Sequence, residues 1–479
     1  MPHGDDVTTP PAVVPAPRLP HPADSAPLPP PASLPRPSSS LTPPSPFLPP
    51  IESPGRGKLV LMGVLALVAA VALGAGAAYV AHDEPLDPPA EAMVTAAVPL
   101  TPIAQANATL SRQAAALLRG DEEAWLAAVD PRQPKLRARY KTMFRSLRAL
   151  GVSHFQYQTS VANDKGAAGS LGIFADVAYC LAGDHCAKDK GADSAGPPIV
   201  AQVLKLKTVE GQWLITSLNN RRRALKQQPA PWENNALATA EGKRVTLVAL
   251  QGEKDLRRLL PIAEQAAAAT DRFAGLVGNP QQRYRIYLAG PKHWTTWYGG
   301  IKDKWVVGYA MPRNEAGTDV VLNLAKLRDD ERLLATTIRH ELGHVVTVGG
   351  VRHGTRGGRN AMWLKEGIAE YIGWHPRPAT ASWRRQAVRD AVHGSRPPTS
   401  IAVDALGGNA GADEGDAFYG LGHFAADCMA DTYGERALFT FVRLHLRENR
   451  DLDPASREAF GTPFQTVDKA CVAWIREHA

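Results

Sequence analysis

The chain has 479 residues, of which 44% are hydrophobic and 21% charged, and its formal net charge is +7. This length predicts two or more domains. The charges are scattered and no recognised nucleic-acid-binding motif accompanies them, so the mild basicity does not indicate a nucleic-acid partner. The short run Arg221-Arg222-Arg223 is interpreted as a solvated linker.

The first segment, residues 1–57, is rich in proline, serine and alanine and contains few aromatic residues. Such a composition cannot bury enough apolar surface to offset the entropy lost on ordering, so we predict that this segment is disordered. A plain extended tail is the favoured interpretation, since short proline motifs are common. Its PxxP-like runs as ligands for a cytoplasmic partner domain are the alternative.

An uninterrupted apolar run of 23 residues without charge extends from Leu59 to Ala81. It is long enough to cross a bilayer, and we predict a single transmembrane helix over residues 58–82. Basic residues precede the run and acidic residues follow it, which places the amino terminus in the cytoplasm and the rest outside the cell. A cleaved signal peptide is the alternative, because Ala75-Gly76-Ala77 resembles a cleavage site, but the long tail and long apolar run favour an uncleaved anchor.

Residues 83–102 are rich in proline and alanine and are interpreted as a linker, followed by a first folded domain over residues 103–225. Helices are predicted at Ile103–Leu118, Asp121–Ala128 and Lys135–Leu150. Strands are predicted at Val152–Val161, Leu171–Leu181, Ile199–Lys207 and Gln212–Leu218. Helices followed by a strand meander predict an α+β fold.

Two runs in this domain, LLRGDEEAWLAAVDP at residues 117–131 and GQWLITSL at residues 211–218, resemble the NTF2-like fold. The resemblance implies an α+β cone. Such a fold holds an enzyme pocket in some proteins and none in others. We find no set of catalytic groups in the domain, so a spacer or docking role is favoured.

The second domain is predicted over residues 226–479 and begins with a small mixed sheet. Strands are predicted at Val245–Gln251, Arg285–Leu288, Trp305–Ala310 and Val320–Leu324, with a helix at Lys254–Gly275 between the first two.

The most informative motif of the chain is His340-Glu341-Leu342-Gly343-His344, an HExxH sequence. Acidic residues at its start and a glycine pair at its end predict a helix. Two histidines four residues apart point to the same side of a helix and can share one metal ion. Glu341 lies about 100° around the helix from His340, close enough to act on a water molecule at that metal.

A second helix is predicted from Met362 to Trp374 and supplies complementary groups. Glu366 is the predicted third metal ligand, and Glu370, one turn later, is predicted to hold the free ring nitrogen of a ligand histidine. Three protein ligands and one open position are typical of catalytic zinc, so Zn²⁺ is the predicted cofactor. His353, in a loop rich in glycine and arginine, is the alternative third ligand.

HELGH followed by WLKEGIAEYI resembles the gluzincin metallopeptidases, specifically the bacterial peptidase MA-like family. The later stretches FYGLGHF and DTYGE, at residues 418–424 and 431–435, are similar to the downstream helix of that family. The resemblance implies an α+β domain with a small mixed sheet and a mostly helical carboxyl-terminal lobe. It implies His340, His344 and Glu366 as zinc ligands and Glu341 as general base. It also implies Tyr419 as stabiliser of the oxyanion and Val306 to Met311 as the edge strand that pairs with the substrate backbone. His423 is a further candidate for the oxyanion.

All four cysteines lie on the predicted outer side of the membrane: Cys180, Cys186, Cys428 and Cys471. An even count in an oxidising compartment predicts disulfides. Cys180 with Cys186 would close a small loop, and Cys428 with Cys471 would tie the helix of Tyr419 to the carboxyl-terminal helix. Three pairings remain open, and the absence of CxxC spacing argues against a cysteine zinc site.

We therefore predict a membrane-anchored zinc metallopeptidase that faces the outside of the cell and hydrolyses a peptide or protein substrate. Glu341 would take a proton from the attacking water and deliver it to the leaving amine. The alternative is a non-catalytic protein of the cell envelope that retains a zinc-peptidase fold for binding or scaffolding. A signalling anchor that acts through its proline-rich tail is a third interpretation.

Overall fold

The computed structural model describes residues 100–163, 169–186, 196–220, 229–301, 306–313, 315–351, 361–407 and 410–479. These residues belong to one compact unit with a mixed α+β architecture and small sheets. The predicted tail, the predicted transmembrane helix and the linker up to residue 99 lie outside the described residues. Within the described ranges, no helix combines the length and the apolar character that crossing a membrane requires.

The first part of the fold is a set of helices followed by an antiparallel sheet, as the sequence predicted. The helices are α1 (Pro102–Arg119), α2 (Glu122–Ala127) and α3 (Pro134–Ala149). The strands are β1 (His154–Asn163), β2 (Ser170–Cys180), β3 (Ile199–Val209) and β4 (Gln212–Asn220). They pair in chain order β1-β2-β3-β4. Helix α1 starts where Thr101 accepts a hydrogen bond from the backbone N–H of Ala104, and it ends at Gly120 in the left-handed region.

We call α1–α3 and β1–β4 together the N-terminal layer. Aromatic side chains build its core. Trp125 is fully buried, and its indole N–H donates to the carbonyl of Tyr140 at 2.9 Å. The rings of Tyr140, Phe144 and Phe155 lie 5.7–6.1 Å from that of Trp125. Because the polar end of the indole has a partner, its large apolar surface can be buried without the cost of an unpaired donor.

The second sheet has five strands in the order β5-β6-β7-β9-β8. Its elements are β5 (Leu237–Glu241), β6 (Val245–Leu250), α4 (Leu256–Val277), β7 (Tyr284–Ala289), α5 (Pro291–Trp294), β8 (Gly308–Arg313) and β9 (Gly317–Asn323). Strands β6, β7 and β9 are parallel, whereas β5 and β8 are antiparallel edges. The sequence did not predict β5. Strand β8 begins at Gly308 rather than at Trp305, a residue outside the described ranges.

The carboxyl-terminal part of the chain is helical. Its helices are α6 (Leu324–Leu327), α7 (Glu331–Val348), α8 (Met362–Trp374), α9 (Arg385–His393), α10 (Ala412–Tyr433), α11 (Glu435–Val442), α12 (Leu452–Phe460) and α13 (Phe464–His478). The disulfide Cys428–Cys471 joins α10 to α13, and Cys180–Cys186 closes a loop after β2. Both are the pairings put forward above, and no described cysteine is free.

The five-stranded sheet is covered on both faces. Along β7, Ile286 and Leu288 belong to the core shared with the helical part, whereas Tyr287 and Ala289 belong to the core shared with the N-terminal layer. This explains why every residue of β7 is buried. The N-terminal layer therefore rests directly on the sheet, and the predicted domain boundary at residues 225 and 226 stays a prediction.

Gly367 allows α8 and α10 to cross closely, and we expect Gly367→Ala to lower the free energy of unfolding. A Cβ atom there would lie 2.4 Å from the carbonyl oxygen of Gly422, and overpacking of this kind costs about 1–3 kcal/mol. Thermal unfolding should show the loss. Gly275→Ala in α4 is the matched control, because its Cβ atom meets nothing within 4 Å and should stabilise the helix. Equal stability of the two variants would contradict the prediction.

Candidate metal centre

Helix α7 presents His340, Glu341 and His344 to a cavity that is also lined by strand β8. The helix starts where the carboxylate of Asp330 accepts a hydrogen bond from the N–H of Leu333 at 2.8 Å. A buried apolar face holds it against the core through Leu334, Ile338, Leu342 and Val345. The ring centroids of the two histidines are 4.9 Å apart. The local sequence therefore folds as predicted and puts both imidazoles on one side.

Helix α8 brings Glu366 to the same point. Its Oε2 atom lies 3.4 Å from Nε2 of His340 and 3.2 Å from Nε2 of His344. Two ligand atoms at about 2.0–2.1 Å from a zinc ion in tetrahedral geometry lie roughly 3.3 Å apart. The structure thus brings together the three predicted ligands, and this cluster could hold a metal ion. His353, the alternative third ligand, lies outside the described residues.

Glu370 orients the first histidine. Its Oε1 atom is 2.9 Å from Nδ1 of His340, and its Oε2 atom accepts a hydrogen bond from Nη1 of Arg384 at 3.0 Å. Burial raises the pKa of Glu370, but Arg384 and His340 outweigh it and hold this pKa at about 2. A carboxylate on Nδ1 fixes the proton there and leaves Nε2 facing the cluster.

His340 binds a proton tightly in the same surroundings. Burial lowers its pKa, but hydrogen bonds to Glu366 and Glu370 raise it to about 10. A metal ion that binds Nε2 of His340 has to displace a proton from the ring. We therefore expect metal affinity to fall as the pH becomes more acidic.

Glu341 is buried beside the edge strand. Only 5% of it is exposed, and this burial raises the pKa of its carboxyl above the ordinary value. A Cβ atom at Gly308 would lie 2.6 Å from Oε1 of Glu341, so the carboxylate sits directly against the backbone of β8. A carboxylate with a raised pKa in a water-accessible cleft is suited to accept and return a proton.

A cavity of about 460 Å³ opens over the cluster. Its walls come from the cluster of His340, His344 and Glu366, from Glu341 and Tyr419, from β8, and from an apolar rim that includes Val348, Leu406 and Ala410. A second cavity, of about 90 Å³, lies beside Trp383 and Arg384. Gly308, His340, Glu341 and Tyr419 line both cavities, so the two form one cleft that passes the cluster.

Tyr419 on α10 faces this cleft. Its ring centroid is 5.9 Å from that of His340, and the guanidinium of Arg384 lies 5.4 Å from its ring centroid. Burial raises the pKa of Tyr419 well above its ordinary value, so the hydroxyl keeps its proton and can donate it in a hydrogen bond. The oxyanion role that the resemblance implies for this residue stays a prediction.

His423, the other oxyanion candidate, is not brought to the cleft. It is fully buried one turn further along α10 and lines neither cavity. Its Nε2 atom lies 3.8 Å from a carboxylate oxygen of Asp427, and burial lowers its pKa to about 4. His423 is therefore a neutral core residue in this arrangement, and we omit it from the proposed mechanism.

Sequence reasoning missed Arg384, Trp383 and Leu406. Arg384 holds Glu370, and Trp383 and Leu406 line the cleft. None of them stands in a recognisable motif or periodic pattern. They could be found only from the way the segments around α9 and before α10 pack against α8.

Asp427 gives a prediction on pH, because burial raises the pKa of its carboxyl to about 7. The folded protein therefore binds a proton there more tightly than the unfolded chain does. The bound proton therefore adds to the free energy of unfolding. This contribution is fully present below about pH 4 and is lost as the pH rises through about 7, with an upper bound of roughly 4 kcal/mol. Asp427→Asn keeps an acceptor for the N–H of Ala379, and removes the ionisation.

We expect Asp427→Asn to match the parent protein in stability near pH 4 and to exceed it near pH 8. Denaturant unfolding at both pH values measures the difference. The neighbouring groups His423 and Asp431 remain in both proteins, so their contributions largely cancel in the comparison. An equal stability difference at the two pH values would rule out titration of Asp427 in this range.

No model of a protein family matches the chain, and no curated protein matches it significantly. The geometry around His340, His344 and Glu366 is therefore the observation on which a function can be based.

Proposed function

We propose that this protein is a zinc-dependent metallopeptidase of the gluzincin type. One observation carries the proposal: the buried carboxylate of Glu341 shares a cleft with a cluster of two histidines and one glutamate. A site that only holds a metal for structural reasons has no need of that carboxylate. The set of three ligands also leaves a position open, as catalytic zinc sites do and closed structural sites do not.

Zinc fits the donor set better than the hard cations do. Two imidazole nitrogens and one carboxylate oxygen are the ligands of known peptidase zinc sites, whereas Mg²⁺ and Ca²⁺ prefer oxygen donors throughout. The separations of 3.2 and 3.4 Å between donor atoms suit tetrahedral zinc. When bound, the zinc ion would act as a Lewis acid and would lower the pKa of the water molecule that it binds towards roughly 7.

The residues of the chain have separate tasks in the proposed reaction. Glu341 accepts the proton of the attacking water and then passes it to the leaving amine. Glu370 keeps the ring of His340 in the tautomer that exposes Nε2. The hydroxyl of Tyr419 donates a hydrogen bond to the oxygen on which negative charge develops.

Strand β8 is the proposed site for the substrate backbone. The N–H of Asn323 donates to the carbonyl of Val307 at 2.8 Å, so the alternation of an antiparallel ladder turns the polar groups of Gly308 and Ala310 away from β9. Both residues line the cleft. A peptide can add to this edge as a further strand, which would give affinity without side-chain selectivity.

Metal analysis and peptide cleavage test the proposal together. We expect the purified chain to hold one zinc per molecule and to cleave members of a peptide library, and a chelator should stop cleavage until zinc is restored. A protein that binds zinc and substrate peptides and cleaves none of them would favour the non-catalytic envelope protein instead.

The location of the protein is part of the proposal. A single membrane crossing over residues 58–82 would put residues 1–57 in the cytoplasm and the cleft outside. The two disulfides support an oxidising compartment for the described residues. Protease added to intact cells should digest the carboxyl-terminal part and spare the proline-rich tail. A mature chain that starts after Ala77 would show that the segment is a cleaved signal instead.

The proposed organisation of residues 103–225 is an NTF2-like domain. The order of three helices and a four-stranded antiparallel sheet supports it. Helices α7 and α8, which follow β9, carry the cluster of His340, His344 and Glu366. This arrangement supports the gluzincin-type interpretation of residues 226–479. A cytoplasmic partner for the proline-rich tail remains a prediction.

A further inference from the structure

The disulfide loop, residues 180–186, contacts the hairpin that contains the proposed substrate strand. It follows β2 directly and is closed by Cys180–Cys186. The backbone N–H of His185 donates to the carbonyl of Ala316, between β8 and β9, at 2.7 Å. The loop therefore reaches from the N-terminal layer to the far end of the strand that borders the cleft.

A buried cluster of four charges strengthens this contact. Asp184 accepts hydrogen bonds from Arg313 at 3.0 Å and from Arg285 at 2.7 Å, and both arginines also lie within 2.9 Å of Asp319. The exposed fraction of each of the four side chains is 6% or less. Two arginines and two aspartates balance in charge, so the loss of any one partner leaves an uncompensated charge in the interior.

The cluster of four charges holds one end of β8, and Glu341 lies at the other. Arg313 is the last residue of the strand, whereas Gly308, the first, lies against Glu341. At about 3.3 Å per residue, the strand is roughly 17 Å long. Among the described residues it is an edge strand with a hydrogen-bonded neighbour, β9, on one side, so the anchor at Arg313 limits how far the other edge can move.

We propose that Asp184, held by the disulfide loop, is a positioning residue that fixes β8 for pairing with the substrate. The proposal rests on the proposed peptidase function. The N-terminal layer then takes part in substrate binding, because its disulfide loop anchors β8. Opening of Cys180–Cys186 by reduction would free the loop, so substrate affinity should respond to a reductant of disulfides.

The Asp184→Asn variant of the whole chain tests the anchor. We expect hydrogen exchange of the amides of Tyr309 and Met311 to become at least about tenfold faster, because local opening costs less free energy. KM for a cleaved peptide should rise by about tenfold with kcat nearly unchanged, as for an interaction that contributes to binding in ground and transition state alike. Zinc content should be unchanged.

Asp130→Asn is the matched control. Asp130 is another buried carboxylate of the N-terminal layer, but it pairs with Arg132 rather than with β8. Asp130→Asn controls for the change of a buried carboxylate to an amide, since the Arg132 side chain is 65% exposed and is not left buried without a partner. A general loss of stability in Asp184→Asn would speed exchange throughout the chain, whereas loss of the anchor speeds it most at β8. Equal exchange at β8 in the two variants, or an unchanged KM in Asp184→Asn, would overturn the proposal.

The Cys180→Ser/Cys186→Ser variant tests the same anchor without a change of charge, and it also serves if Asp184→Asn fails to fold. It should show the same faster exchange at β8 and the same rise in KM. Exchange and KM equal to those of the parent would overturn the part assigned to the disulfide loop. Hydrogen exchange is measured without substrate, so its result does not depend on the peptidase function. A parent protein that cleaves no peptide would refute the peptidase function and leave the exchange test of the anchor valid.

Discussion

The Glu341→Gln variant is expected to lose hydrolysis and to keep its metal. Glutamine preserves the shape of the side chain but cannot take the proton of the attacking water. Loss of a general base typically lowers the rate by about 10²–10⁴. Glu341 is not one of the three clustered ligand residues, so zinc content should equal that of the parent protein. Single-turnover cleavage of a library peptide and metal analysis on the same sample measure both quantities.

Glu331→Gln is a suitable control for this experiment. Glu331 is the first residue of the same helix, and its side chain is exposed and paired with Arg258. The substitution makes the same chemical change far from the cleft, so rate and metal content should stay at the parent level. If Glu341→Gln cleaves at the parent rate, the peptidase mechanism fails and the binding or scaffold function becomes the better account.

The Glu366→Ala variant is expected to lose zinc altogether. It removes the only carboxylate of the cluster and leaves two imidazoles on one helix, too few ligands to hold the ion through dialysis. The variant should also lose the stabilisation that bound metal provides, about 4 kcal/mol when free zinc is a thousandfold above Kd. Metal analysis and thermal unfolding with and without added zinc test both effects.

A graded comparison sharpens this result. Glu370→Gln keeps all three ligands but weakens the hold on Nδ1 of His340, and loss of such an outer partner typically lowers metal affinity about 10–100-fold. The order of zinc affinity should therefore be parent, Glu370→Gln, Glu366→Ala. Full zinc retention in Glu366→Ala would exclude Glu366 as a ligand and return attention to His353.

Much of the candidate metal site could be predicted from the sequence because helix geometry is local. A spacing of four residues puts His340 and His344 on one side of α7 whatever surrounds the helix. The same rule aligns Glu366 with Glu370 on α8, and Asp330 caps α7 through a hydrogen bond within four residues. The helices and strands of residues 103–225 also follow from short-range patterns, and the structure contains all of them.

Only the tertiary structure decided which residues of α10 reach the candidate metal site. Tyr419 and His423 are one turn apart, and both looked suitable in sequence. The packing of α8 and α9 against α10 leaves Tyr419 in the cleft and encloses His423 beside Asp427. Such a choice depends on contacts between segments far apart in the chain, which no local pattern records.

The same limit applies to the edge of the sheet and to its anchor. The sequence by itself determined that residues near Val306 to Met311 form a strand before the HELGH helix. It did not determine that β8 lies beside β9 at an edge of the described sheet, or that Asp184 reaches Arg313 across 129 positions of the chain. Local propensity sets which elements form, whereas burial of charge and of apolar faces selects how distant elements meet. That selection placed the disulfide loop at the end of β8.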